Sequence, residues 1–232
     1  MRLAFILPAA SILFALSASC GESPQAQVQR LMRLSPAEHR ALQAPWNQAE
    51  NHPMAAYWQA LAEMGLAGIA ASPKEAEALL DAAEQRLIRR KDADSYALRG
   101  ALAGMRIGLH PTAAMSLAPK AAACFARAKE LEPGNPRVRL FEAIHLLNTP
   151  AFFGGGPKVA LPLLQEAVTC AEREPVPGDP WAPAWGRAEA LAWQAKAMLQ
   201  VKQVAEGKAA ITRCIDLDPQ WEFARAIRAQ IP

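Results

Sequence analysis

One spacing organises the hydrophobic positions of this chain. A small residue, apolar residues three and four places on, and a second small residue seven places on recur four times. The sets are Ala76, Leu79, Leu80, Ala83; Ala121, Cys124, Phe125, Ala128; Ala160, Leu163, Leu164, Ala167; and Gly207, Ala210, Ile211, Cys214. Offsets of 0, 3, 4 and 7 fall on one face of an α-helix. The small ends of that face let another helix approach closely, and the middle pair fills the gap. Each set follows a second helical stretch that could be its hairpin partner: MAAYWQALAEM from Met54, SYALRGALAGM from Ser95, RVRLFEAIHLL from Arg137 and AEALAWQAKAML from Ala188.

Start signals divide the chain in the same way. Ser72-Pro73-Lys74-Glu75 and Ser35-Pro36-Ala37-Glu38 each give a capping serine, proline at the first helical position and glutamate three residues after the serine. Asn135-Pro136 and Asp179-Pro180 repeat the cap-then-proline order. No extended β-branched alternation reads as strand. The expectation is an all-α chain of stacked helical hairpins, with WEFARAIRAQIP as a C-terminal capping helix over the last hairpin.

The segment AAACFARAKELEP, residues 121–133, resembles the second helix of a tetratricopeptide repeat (TPR) in its A-x-x-x-F, second alanine and closing proline. GKAAITRCIDLDP, residues 207–219, is similar. Equivalent small residues lie 39 to 47 positions apart here, against about 34 in the standard repeat. The excess falls in GLHPTAAMSLAP (108–119) and NTPAFFGGGP (148–157) inside hairpins, and in EREPVPGDPWAP between them. The resemblance spans roughly residues 53 to 230 and is closest to divergent repeat proteins exported by bacteria, through the TP-x-F-GG turn at 149–155 and P-x-W-G at 183–186. It implies a right-handed solenoid of about four antiparallel hairpins that offers a groove to a protein or peptide, and no catalysis. By that resemblance Arg137, Glu189 and Lys196 would fall on the inner surface, although a solvated helix face accounts for them equally well. Trp181 and Trp185 sit in a Pro-rich entry to the last hairpin and are open between partner contact and packing, whereas Trp58 and Trp193, inside helices, are assigned to packing.

The first residues add an address. Met1 and Arg2 precede an uncharged apolar run from Leu3 to Leu16, and the small residues Ser17, Ala18 and Ser19 lead to Cys20. Residues 1–19 read as a secretory signal peptide, too short for a retained spanning helix. The layout resembles a bacterial lipoprotein signal, with Ser17 where a leucine is usual, and makes Cys20 the candidate lipid attachment. Residues 20–52 would then be a tether and N-terminal helical segment, and 53–232 the repeat domain. The expected location is the periplasm, with any membrane contact made through that lipid.

Charge and cysteines narrow the function. Of 232 residues 52% are hydrophobic and 20% charged, and the net charge is +3. The dense basic cluster, RLIRRK at 86–91, suits a helix C-terminus better than a nucleic-acid surface. Cys124, Cys170 and Cys214 lie in no C-x-x-C and at no metal-ligand spacing from a histidine, so buried helical packing is expected of them. The four histidines are scattered, with no zinc-protease spacing, and G-x-S-x-G and dinucleotide-binding fingerprints are absent. GGGPK at 154–158 is not a phosphate loop, because Pro157 separates Gly156 from Lys158 and Val159 stands where a hydroxyl is needed. It reads instead as the turn inside the third hairpin, with Phe152 or Phe153 pinning it to the core and, because of Pro162, a second helix that starts nearer Ala160 or bends there. The expectation is a non-catalytic monomer without metal or cofactor that binds a protein or peptide of the cell envelope. The alternative is a periplasmic repeat protein that binds a small molecule in association with a solute transport system.

Overall fold

The structure, a computed structural model, describes residues 52–231. Cys20, the leader and the Ser35 cap lie outside the described residues. Four hairpins follow in chain order: α1 (Ala55–Ala67) with α2 (Pro73–Leu87), α3 (Ala93–Leu109) with α4 (Ala114–Leu131), α5 (Pro136–Asn148) with α6 (Pro157–Arg173), and α7 (Arg187–Gln200) with α8 (Val204–Leu217). The short α9 (Glu222–Ala229) packs on α8 and α7 as the expected cap. No strand occurs among the described residues.

The repeated face is the core. Ala76, Leu80 and Ala83, then Ala121, Phe125 and Ala128, then Ala160, Leu164 and Ala167, are all buried, as are Ala210, Ile211 and Cys214. The position three residues into each set is half-buried in the first three helices, where it lies at the edge of the seam. Small residues are needed opposite the bulky ones. A Cβ on Gly100 of α3 would stand 2.8 Å from the Phe125 ring, and one on Gly104 would stand 2.6 Å from His145 Nδ1. Gly100 therefore brings α3 against α4, and Gly104 brings α3 against α5.

Caps behave as their chemistry requires. The Ser72 hydroxyl accepts from the Glu75 amide at 3.2 Å, and the Glu75 carboxylate accepts from the Ala71 amide at 2.9 Å. Asn135 accepts from the Arg137 amide at 2.9 Å with Pro136 at the first helical position. Asp179-Pro180 does not start a helix: the Asp179 carboxylate accepts from the Trp181 amide in a turn, and α7 begins only after Gly186.

Three turn expectations need correction. Most of 108–119 is helix, since α4 begins at Ala114 and carries Pro119 inside it, so the longer repeat comes from a longer helix. Helix α6 begins at Pro157, ahead of the expected Ala160, because the Gly156 carbonyl closes its first turn by accepting from the Val159 and Ala160 amides. Pro162 then removes one internal hydrogen bond, which the remaining turns tolerate. Lastly, Phe152 and Phe153, expected to pin the turn to the core, point to solvent at 92% and 74% exposure. The glycines do serve the reversal: Gly154 and Gly156 have φ of +82° and +97°, and a Cβ on Gly155 would lie 2.3 Å from the Thr149 carbonyl oxygen.

Candidate functional site

Residues 174–186, between α6 and α7, form a strap that reaches back to the first hairpin. The Trp58 indole N–H donates to the Trp181 carbonyl at 2.8 Å, and the Trp185 indole N–H donates to the Tyr57 hydroxyl at 3.1 Å. The Trp181 ring stacks on His52 with centroids 4.3 Å apart, while Trp185 meets Phe141 edge-on at 5.6 Å. An indole placed this way buries a large apolar surface and still satisfies its one donor.

Arg137 sits beneath the strap at 4% exposure. Its Nε donates to Asp94 at 2.6 Å, and its Nη1 donates to Glu174 at 3.0 Å and to the Trp185 carbonyl at 3.2 Å. A planar fork of donors is suited to holding several acceptors at once. Burial raises the Asp94 pKa above the usual carboxylate range, and the guanidinium pulls it back down. Burial works to lower the Arg137 pKa, but Asp94 and Glu174 more than offset it and keep the group firmly charged. Tyr57 is raised well above its ordinary value by burial and then by Asp94, so its hydroxyl stays protonated. Tyr57, Asp94 and Arg137 lie in the first turns of α1, α3 and α5, so one cluster ties three hairpins to the entry of the fourth.

The sequence-selected residues therefore separate. Arg137 and Glu189 are interior, contrary to the inner-surface and solvated-face readings alike. Glu189 accepts from the Gly186 amide at 3.1 Å and caps α7 at a glycine with φ of +118°. Trp185, left open in the sequence, is core at 4% exposure; Trp181 is half-buried and holds the strap. Trp58 is fully buried as expected. Lys196 is half-buried elsewhere, its Nζ 4.5 Å from the Trp193 ring centroid and 5.8 Å from that of Phe223. Trp221 packs against Phe223, which completes an aromatic cluster where α9 meets α7. Tyr57, Asp94, Phe141 and Glu174 were not singled out from the sequence, because their partners lie 37 to 128 residues away along the chain.

Among the described residues no group of three or more His, Cys, Asp or Glu could hold a metal, and no helix is long and apolar enough to cross a membrane. Cys124 and Cys170 are half-buried, and Cys214 is buried with its thiol donating to the Ala188 carbonyl at 3.2 Å; burial raises the Cys124 thiol pKa.

No protein-family model matches the chain, and no curated protein matches it. Among solved structures, the chain is similar to a thermophilic TPR protein of Thermus thermophilus, with a TM-score of 0.57 over 90% of this chain and 96% of that one. The chain has a TPR-like helical-repeat fold. At 16% identity that likeness concerns the fold alone. The TPR-like chain is also similar to the HusA haemophore from Porphyromonas gingivalis, 28% identical with a TM-score of 0.63, over 76% of this chain and 92% of that one.

Proposed function

We propose that the protein is an exported, non-catalytic binding protein of the cell envelope, tethered to the membrane by lipid on Cys20, whose cargo is a flat tetrapyrrole of the haem class. The observation that carries this reading is the likeness to the HusA haemophore, which extends over 92% of that chain at 28% identity. Local chemistry supports it. Trp193 and Phe223 offer aromatic faces, and Lys196 beside them supplies a cation for a carboxylate. Haemin titration of the folded chain, followed by Soret absorbance, should saturate near one equivalent, with weaker uptake in Lys196→Ala. Linear uptake that never saturates, in a protein of unchanged helicity, would remove this reading.

A protein or peptide partner of the envelope is the second reading, favoured by the TPR-like fold and by the half-exposed Lys196–Trp193 face on a first helix. Crosslinked capture with the tagged chain separates the two. A stoichiometric protein partner recovered together with a failed haemin titration would replace the first reading by the second.

A further inference from the structure

The edge opposite the strap has a different character. Helices α3 and α5 run side by side with Gly104 level with His145, so the turns that follow them emerge together. Phe152 and Phe153 in the second turn are 92% and 74% exposed, Met115 in the first turn of α4 is 90% exposed, and Val159 in the first turn of α6 is exposed as well. Phe152 and Phe153 touch each other edge-on, ring centroids 5.3 Å apart. Their backbone is held in place by the Gly156 amide donating to the Leu146 carbonyl at 2.8 Å and the Gly155 amide donating to the Pro150 carbonyl at 3.3 Å. Glycines at 154, 155 and 156 leave no neighbouring side chain to shield the rings.

Within the two turn segments themselves the charged side chains are cations. Residues 108–120 and 148–162 contain no aspartate or glutamate, and Lys120 and Lys158 are both exposed within them. Glu77 of α2 approaches at 3.1 Å from His110, but its other oxygen is bound by Arg106, which also takes Asp81 and Glu84. A protruding apolar tip with lysines on its own segments is the pattern by which proteins enter the interface of an anionic bilayer, and the carboxylates nearest to it, Glu77, Asp81 and Glu84, are engaged by Arg106 at its base. A small cargo calls for the opposite shape, a concavity.

We propose that this turn edge is a membrane-docking surface: Phe152, Phe153 and Met115 enter the interfacial layer of an anionic phospholipid bilayer, and Lys120 and Lys158 contact its headgroups. The surface is independent of the cargo reading and of lipid on Cys20. The test is hydrogen exchange on the full chain with phosphatidylcholine vesicles, with and without phosphatidylglycerol. Amides at 151–159 and 112–116 should slow by roughly tenfold on the anionic vesicles alone. Phe152→Ser with Phe153→Ser should abolish that protection. Lys120→Gln with Lys158→Gln should reduce it most at low salt, where headgroup attraction is least screened, with unchanged helical content in both variants. Unchanged exchange at these turns on every vesicle would overturn the proposal. Protection that appears without vesicles as the chain self-associates would assign the edge to a second copy and overturn it too, as would protection produced by haemin alone.

Discussion

The two edges of the solenoid use the same residue types to opposite ends. At the strap edge, two tryptophans, a tyrosine and an arginine are buried, and both indole N–H groups and the guanidinium have acceptors. At the turn edge, two phenylalanines stand in solvent on a glycine-rich connection and a methionine at the start of α4. Aromatic and charged residues are therefore poor indicators of function until their placement is known. Those that bind across hairpins hold the fold, and those left bare are free to meet something else.

The contrast can be broken most forcefully at Arg137. Arg137→Ala leaves Asp94 buried without its cation and should cost about 3–5 kcal/mol in chemical denaturation. Arg137→Lys should recover only part of this, since an ammonium lacks the planar fork. A loss below about 1 kcal/mol would mean that the cluster does not tie the hairpins. Next comes Gly100→Ala, which drives a Cβ to within 2.8 Å of the Phe125 ring. Despite alanine's better helix propensity it should destabilise by about 1–3 kcal/mol, and a raised melting temperature would show that the α3–α4 seam has slack.

A smaller effect comes from His145, whose pKa is lowered from 6.5 by burial, with Glu142 working in the opposite direction. The folded state favours the neutral ring. Its contribution is therefore present above pH 6.5 and lost as pH falls through the lower folded value. Burial raises Glu63 and Asp94 above 4.5 and 3.8 respectively, so these groups act the other way and add stability on further acidification. The melting temperature should drop as pH falls below 6.5, and His145→Asn should flatten that slope. The smallest change is expected at the other edge. Phe152→Ser with Phe153→Ser should shift stability by no more than about 0.5 kcal/mol, and a larger loss would place those rings in the core after all.

Much of the fold was legible because it is written in local periodicity. The offsets through Ala76, Ala121, Ala160 and Gly207 located four second helices, and Ser72, Asn135 and the terminal WEFARAIRAQIP marked starts and the cap. Proline was the main source of error. Residues 108–119 read as an insertion within a hairpin and Pro162 as the sign of a later start or a bend, yet Pro119 and Pro162 each lie within the early turns of a longer helix, where one lost hydrogen bond is tolerated. The strap cluster was less legible for a different reason. Glu174 and Asp94 carry no local mark of their pairing with Arg137, since the contact exists only once the second and third hairpins have stacked. Arg137 and Glu189 looked like surface residues because charge is usually solvated, and here hydrogen bonding within the interior replaces water.

The central claim is that the strap closes one edge of the solenoid by binding its first helix. Exchange of the indole N–H protons, resolved by NMR for Trp58 and Trp185, tests this most directly. Bonded to the Trp181 carbonyl and the Tyr57 hydroxyl, both should exchange orders of magnitude more slowly than a free indole, at rates approaching those of the core amides of α5. If both exchange at the free rate while the α5 amides remain protected, the strap is open in solution and the account of this edge is wrong.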